Sequence, residues 1–102
     1  MAQVGHHVYF KLVDRSDQAI EALLGECRKY LADPEGVGRF ASRTRDREQT
    51  RAVTQDFDVS LHWVYEDRPA HDAYQVSERH VKFIEENKDA WASVRVFDTI
   101  LK

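Results

Sequence analysis

An α+β fold with a four-stranded antiparallel sheet and two helices on one face, in the order β-α-β-β-α-β, is what this sequence predicts. Three observations carry that prediction. Period-2 alternation marks residues 6–13, 57–65 and 94–101, with a weaker stretch at 37–43. Stripes at helical spacing lie between the first and second of these stretches along the chain and between the last two. No linker, internal repeat or low-complexity segment interrupts the series, so residues 1–102 are expected to form one domain.

The first strand, HHVYFKLV, sets His6, Val8, Phe10 and Leu12 on one face and His7, Tyr9, Lys11 and Val13 on the other. Both faces are partly apolar, whereas a sheet with one wet face alternates cleanly between apolar and polar. Helices are therefore expected to cover one face and another subunit the second. Ser16 or Asp17 is a good N-cap, and Ile20, Leu23, Leu24, Cys27 and Leu31 then form one helical stripe, placing the first helix over Gln18–Ala32. Asp33-Pro34 ends it and Gly36 supplies a turn. Cys27, on the apolar stripe, reads as a small core residue because nothing near it in sequence would lower its pKa.

Val37–Arg43 is the weaker second strand, with Gly38 allowing a bulge or a close backbone approach. Residues 44–55 lack apolar periodicity and read as an exposed loop or short helix. Arg39, Arg43, Arg45, Arg47 and Arg51 could clamp an anion, but interleaved Asp46 and Glu48 favour a self-compensating surface. Phe57–Tyr65 is the third strand, with Phe57, Val59, Leu61, Trp63 and Tyr65 facing inward and Asp58, Ser60, His62 and Val64 outward. Asp67 is an N-cap and Pro69 sits in the first turn of a second helix that runs to Asn87, broken near Ser77, with Trp91 in or just after a final turn. Val94–Leu101 is the fourth strand, Val94, Val96, Asp98 and Ile100 opposing Arg95, Phe97, Thr99 and Leu101. This element order is the ferredoxin-like one, two split βαβ units closing one sheet.

Charge and composition exclude several function classes. A net charge of −3 and a pI near 5.9 give no general attraction to nucleic acid or anionic membranes. No apolar run approaches the roughly 18–20 residues of a membrane span, and the N-terminus has no signal-peptide pattern. The single Cys27 cannot form an internal disulfide, so a cytoplasmic protein is expected. At 102 residues the core is marginal, which makes a homodimer through the second sheet face the expected assembly.

The second helix carries the polar chemistry. Tyr74, Ser77, Val81 and Ile84 fall on one stripe, with His80 and Phe83 beside it. Burying a hydroxyl and an imidazole without partners costs about 1–3 kcal/mol each, so they either pair inside a closed core or line a cavity that holds something polar. A neutral imidazole can take a proton from carbon beside a carbonyl, and a phenol can donate to the developing enolate oxygen. Tyr74 and His80 stand six residues apart, too far for contact on a continuous helix, so convergence requires a break near Ser77. Metal binding is not expected, because His6 and His7 lie on opposite strand faces and His71 and His80 are far apart along the helix.

With the elements in order, the opening HHVYFKL, the Pro34-Glu35-Gly36-Val37 turn, Tyr74 followed by His80 and Phe83, and the closing Trp91 and Val96-Phe97-Asp98 together resemble the stress-responsive A/B barrel (Dabb) family. The resemblance implies a dimeric α/β barrel. It also implies a site built from Tyr74, His80 and His6, because a plant member of the family closes a linear polyketide thioester without a cofactor, using a tyrosine and a histidine. Ser77-Glu78 stands where relatives commonly carry His-Pro, and Val59 where they often carry histidine. The pocket is expected between sheet and helices, lined by Val8, Phe10, Leu24, Val59, Leu61, Phe83, Trp91 and Val96, with a small hydrophobic carbonyl compound as ligand. Two other readings are a non-catalytic dimeric domain using Tyr9, Val13, Val64, Phe97 and Leu101 as an interaction face, and a cofactor-free monooxygenase.

Overall fold

The computed structural model describes residues 3–31, 37–44 and 56–101. The chain runs β1 (Val4–Leu12), α1 (Asp17–Tyr30), β2 (Val37–Thr44), β3 (Val59–Tyr65), α2 (Arg68–Gln75), α3 (Glu78–Asn87), a 3₁₀ turn (Lys88–Ala90) and β4 (Trp91–Ile100). The strands form one antiparallel sheet in the order β2-β3-β1-β4. This is the ferredoxin-like arrangement, with the second predicted helix divided in two.

β1 is central, paired with β3 on one side and β4 on the other. Its period-2 pattern sorts as expected: His6, Val8, Phe10 and Leu12 are buried, and His7, Tyr9 and Lys11 are half-buried. Leu61, Trp63 and Tyr65 of β3 extend the buried face, against which Ile20, Leu23, Leu24 and Cys27 of α1 pack. Burial of Cys27 pushes its thiol up to about 12, as befits a core residue. Helix α1 is tied to α3 by Tyr30 Oη donating to Glu86 Oε2 at 2.5 Å and by Arg79 Nη2 donating to the Lys29 carbonyl at 2.9 Å.

Caps decide where the helices begin. Ser16, rather than Asp17, caps α1 by accepting from the Ala19 N–H, and Asp67 caps α2 by accepting from the Ala70 N–H, with Pro69 in the first turn. Ser77 caps α3, accepting from the His80 N–H at 3.3 Å, while its own N–H donates to the Tyr74 carbonyl at 3.0 Å. One residue thus closes α2 and opens α3. Ser77→Ala is expected to cost about 1 kcal/mol, the usual loss of a hydroxyl cap, read as a lower midpoint in thermal unfolding.

Several boundaries differ by a few residues from the sequence expectation, and three of the differences have a local reason. β3 begins at Val59, not Phe57, because the Asp58 carboxylate turns inward. It accepts from the Leu12 N–H at 3.0 Å and from Arg15 Nε at 3.0 Å, and the residue is buried rather than facing outward. β4 begins at Trp91, not Val94, because the 3₁₀ turn hands the chain directly to the sheet, with the Ala90 carbonyl accepting from the Val13 N–H. Between Lys11 and Leu12 the register slips, leaving Ala92 as an extra residue on β4. The first strand ends at Leu12, so Val13 lies beyond it and is exposed. The bulge expected at Gly38 is present: Val37 pairs with Tyr65 and Arg39 with Val64. Ala32, the Asp33–Gly36 turn and Arg45, Arg47 and Arg51 lie outside the described residues; Arg43 is exposed.

Candidate active site

Between the sheet and the helices lies a cavity of about 320 Å³. Its floor comes from β1 and β4: His6, Val8 and Phe10 stand in register with Asp98, Val96 and Val94. Leu61 and Trp63 of β3 continue the floor, and Tyr74, His80, Phe83 and Ile84 form the opposite wall. The Ala92 bulge reverses the alternation of β4, which is why Trp91 and Val94 both reach the cavity. Six of the eight expected lining residues are there: Val8, Phe10, Leu61, Phe83, Trp91 and Val96. Leu24 and Val59 are not. Leu24 sits on the buried stripe of α1 and Val59 at the start of β3, 0% exposed, so both belong to the closed core.

Tyr74 and His80 meet because of the break at Ser77. Their ring centroids are 4.7 Å apart with planes at 56°, a contact that six residues of unbroken helix would forbid. The Tyr74 hydroxyl is buried and makes no hydrogen bond among the described residues, and burial holds its proton more tightly than an ordinary phenol. Such a hydroxyl is a hydrogen-bond donor, not a base. Trp91 Nε1 is likewise buried without a partner among the described residues, and both residues belong to the lining of a largely hydrocarbon cavity.

His6, the third expected residue, lines the same cavity from the opposite side, with the Trp63 ring between it and Tyr74: centroid distances are 5.1 Å to His6 and 5.5 Å to Tyr74. His6 Nδ1 donates to the Asp98 carboxylate and lies 3.1 Å from His71 Nε2. Burial is the main influence on His6 and lowers its pKa from 6.5, outweighing the opposing pull of Asp98; His71 and His80 add to the lowering. Across the sheet, His62 is lowered for the same first reason, with His7 at 2.9 Å and Arg43 adding to it. Both shifts have one sign. The unfolded chain binds protons that the folded one refuses, so neither shift costs stability above pH 6.5, and each becomes a penalty on the folded state as pH falls below that value. Thermal midpoints measured from about pH 8 to pH 5 are expected to drop on the acid side.

His71 and Asp98 were not among the expected site residues. Signals for both existed: His71 precedes Tyr74 by three positions on α2, the spacing of one helix face, and Asp98 interrupts the apolar series Val94, Val96 and Ile100 on the inner face of β4. Read from sequence, metal binding has little weight because no pair of histidines within one element can chelate together, so a site needs residues brought together in space or across a dimer. The fold brings His6, His71 and Asp98 together from β1, α2 and β4, with one donor atom of each within 4.8 Å of the others.

The family model of the stress responsive A/B barrel domain (Dabb) matches residues 4–101. The chain belongs to the Dabb family. Its fold is shared by a Dabb family protein with a ferredoxin-like fold from Mesorhizobium loti, at 19% identity and TM-score 0.82, covering 100% of this chain and 99% of that one. A dimeric ferredoxin-like protein of unknown function from Thermobifida fusca is similar at 15% identity and TM-score 0.80, covering 98% and 92%. A hydroxynitrile lyase from Passiflora edulis is similar at 14% identity and TM-score 0.76, covering 98% and 94%. At these identities the likenesses establish the Dabb fold. No curated protein matches the sequence. No helix among the described residues of this Dabb domain is long and apolar enough to cross a membrane.

Proposed function

We propose that this Dabb protein binds a small hydrophobic carbonyl compound in the cavity between sheet and helices and moves a proton on it, using side chains alone for that step. The observation that carries this reading is the buried Tyr74 hydroxyl, without a hydrogen-bond partner among the described residues, against the His80 ring on the wall of a 320 Å³ cavity. In a filled core such a hydroxyl would cost about 1–3 kcal/mol with nothing in return. A small movement that turns the hydroxyl to the cavity lets it donate to a carbonyl oxygen while His80 takes the proton from the neighbouring carbon, and the charge that develops on oxygen strengthens the Tyr74 bond in the transition state. His6, held by Asp98, supplies a third polar group on the opposite wall. That a hydroxynitrile lyase has this fold agrees with an enzymatic role.

The working assembly in this reading is a homodimer located in the cytoplasm. Phe97 and Leu101 on the outer sheet face are 53% and 41% exposed, beside Tyr9, which meets Phe57 and Phe97 edge-on. A second copy laid on that face would cover them, in keeping with the dimeric relative from Thermobifida fusca. The test is to co-crystallise the protein with a panel of small acyl and aromatic carbonyl compounds. Density beside His80 with an oxygen within hydrogen-bond reach of Tyr74 Oη supports the proposal; a cavity that excludes every compound, together with no deuterium exchange at carbon in solution, overturns it.

A further inference from the structure

We infer that His6, His71 and Asp98 form a binding site for one divalent transition-metal ion of the zinc type, on the cavity wall opposite His80. The inference uses the same cavity but does not rest on the proton-transfer reading. Its first support is convergence. Three donor atoms of metal-binding type, from three separate elements, meet at one point: His71 Nε2 lies 3.1 Å from His6 Nδ1 and 3.7 Å from Asp98 Oδ1. Around a tetrahedral zinc ion with bonds of about 2.0–2.1 Å, neighbouring ligands stand roughly 3.3 Å apart, so two of the three separations already suit an ion. The third, His6 to Asp98, is a direct hydrogen-bond contact that must open. Asp98 is free to do so, since its side chain is 46% exposed on the edge strand β4 while both imidazoles are more than nine-tenths buried.

The donor set selects the class of ion. Two imidazoles and one carboxylate suit zinc, cobalt or ferrous iron, whereas calcium and magnesium demand oxygen ligands throughout. Three protein ligands leave a position open, and all three residues belong to the lining of the cavity, from which a ligand could reach the ion. On the far side of His71, the Asp72 carboxylate stands 3.8 Å from Nδ1, where a small side-chain movement would let it accept that N–H and orient the ring.

The outer sheet face offers a competing pair, His7 and His62, in contact at 2.9 Å, and the experiment separates the two. Chelator-treated protein is titrated with Zn²⁺ by calorimetry and with Co²⁺ while recording visible absorption. The expected result is one ion per chain, intense cobalt bands of a low-symmetry site, and a loss of affinity of about 100-fold or more in His71→Ala and in Asp98→Asn, with His62→Ala binding as the parent does. Asp98→Asn preserves side-chain volume, and the parent spectrum needs no variant at all. Absence of Zn²⁺ binding, or binding that vanishes in His62→Ala and persists in Asp98→Asn, overturns the inference. Turnover by the chelated protein would leave the proton-transfer reading standing whatever the metal result, and metal binding by a protein that turns nothing over would do the reverse.

Discussion

Trp63→Ala is expected to destabilise the protein by about 3–5 kcal/mol, the range for removing a buried tryptophan and leaving the space unfilled. For a domain of this size that corresponds to a fall in thermal midpoint on the order of 15–30 °C. The residue is 2% exposed, in register with His6 on β1 and Phe40 on β2, and its ring touches those of His6 and Tyr74. Few residues join sheet to helices so directly. The cavity also limits repair, because its walls are already short of neighbours and cannot collapse onto the new void. Trp63→Phe, which keeps a ring in the gap, should recover more than half of the loss. A Trp63→Ala midpoint within a few degrees of the parent would mean that this layer of the core is not what holds the helices down.

His80→Ala is expected to lower kcat/KM for a carbonyl substrate by about 10²–10⁴-fold, the usual contribution of a positioned general base. Folding should change little, because the ring is only half-buried and the α3 cap uses the His80 backbone N–H, which alanine retains. Tyr74→Phe should cost about 10²–10³-fold by removing the donor to the oxyanion while leaving the ring in place. The contrast between the two variants separates base from donor, since His80→Ala removes the pH dependence of the basic group and Tyr74→Phe does not. Unchanged turnover in His80→Ala would rule that imidazole out as the base.

Most of the fold was legible in the sequence because its strands and helices differ in period. The face of β1 could be read residue by residue, and the Ser77 break followed from the demand that Tyr74 and His80 meet. What escaped was non-local. Phe57 continued an alternation that Asp58 ends through a hydrogen bond to Leu12, 46 positions earlier, and no local pattern encodes that partner. Trp91 reads from sequence as lying in or just after the final turn, and it does follow the 3₁₀ turn; that it also opens β4 is hidden because the Ala92 bulge inverts the phase of the strand, so the alternation cannot be followed back from Val94. The site was legible in part for the same reason. Tyr74 and His80 lie on one stretch of chain, while His6, His71 and Asp98 come from elements separated by as many as 92 positions, and only sheet register together with the packing of α2 on the sheet brings them together.

The roof over the cavity is made of two short pieces, 8 and 10 residues long, hinged at a serine. Isolated helices of such length are barely formed in water, so these two exist only through what they rest against. A guest that fills the space beneath them therefore adds to the support on which their coiling depends. Occupancy and helicity become a single observable, and a far-ultraviolet signal recorded during a slow melt would report both.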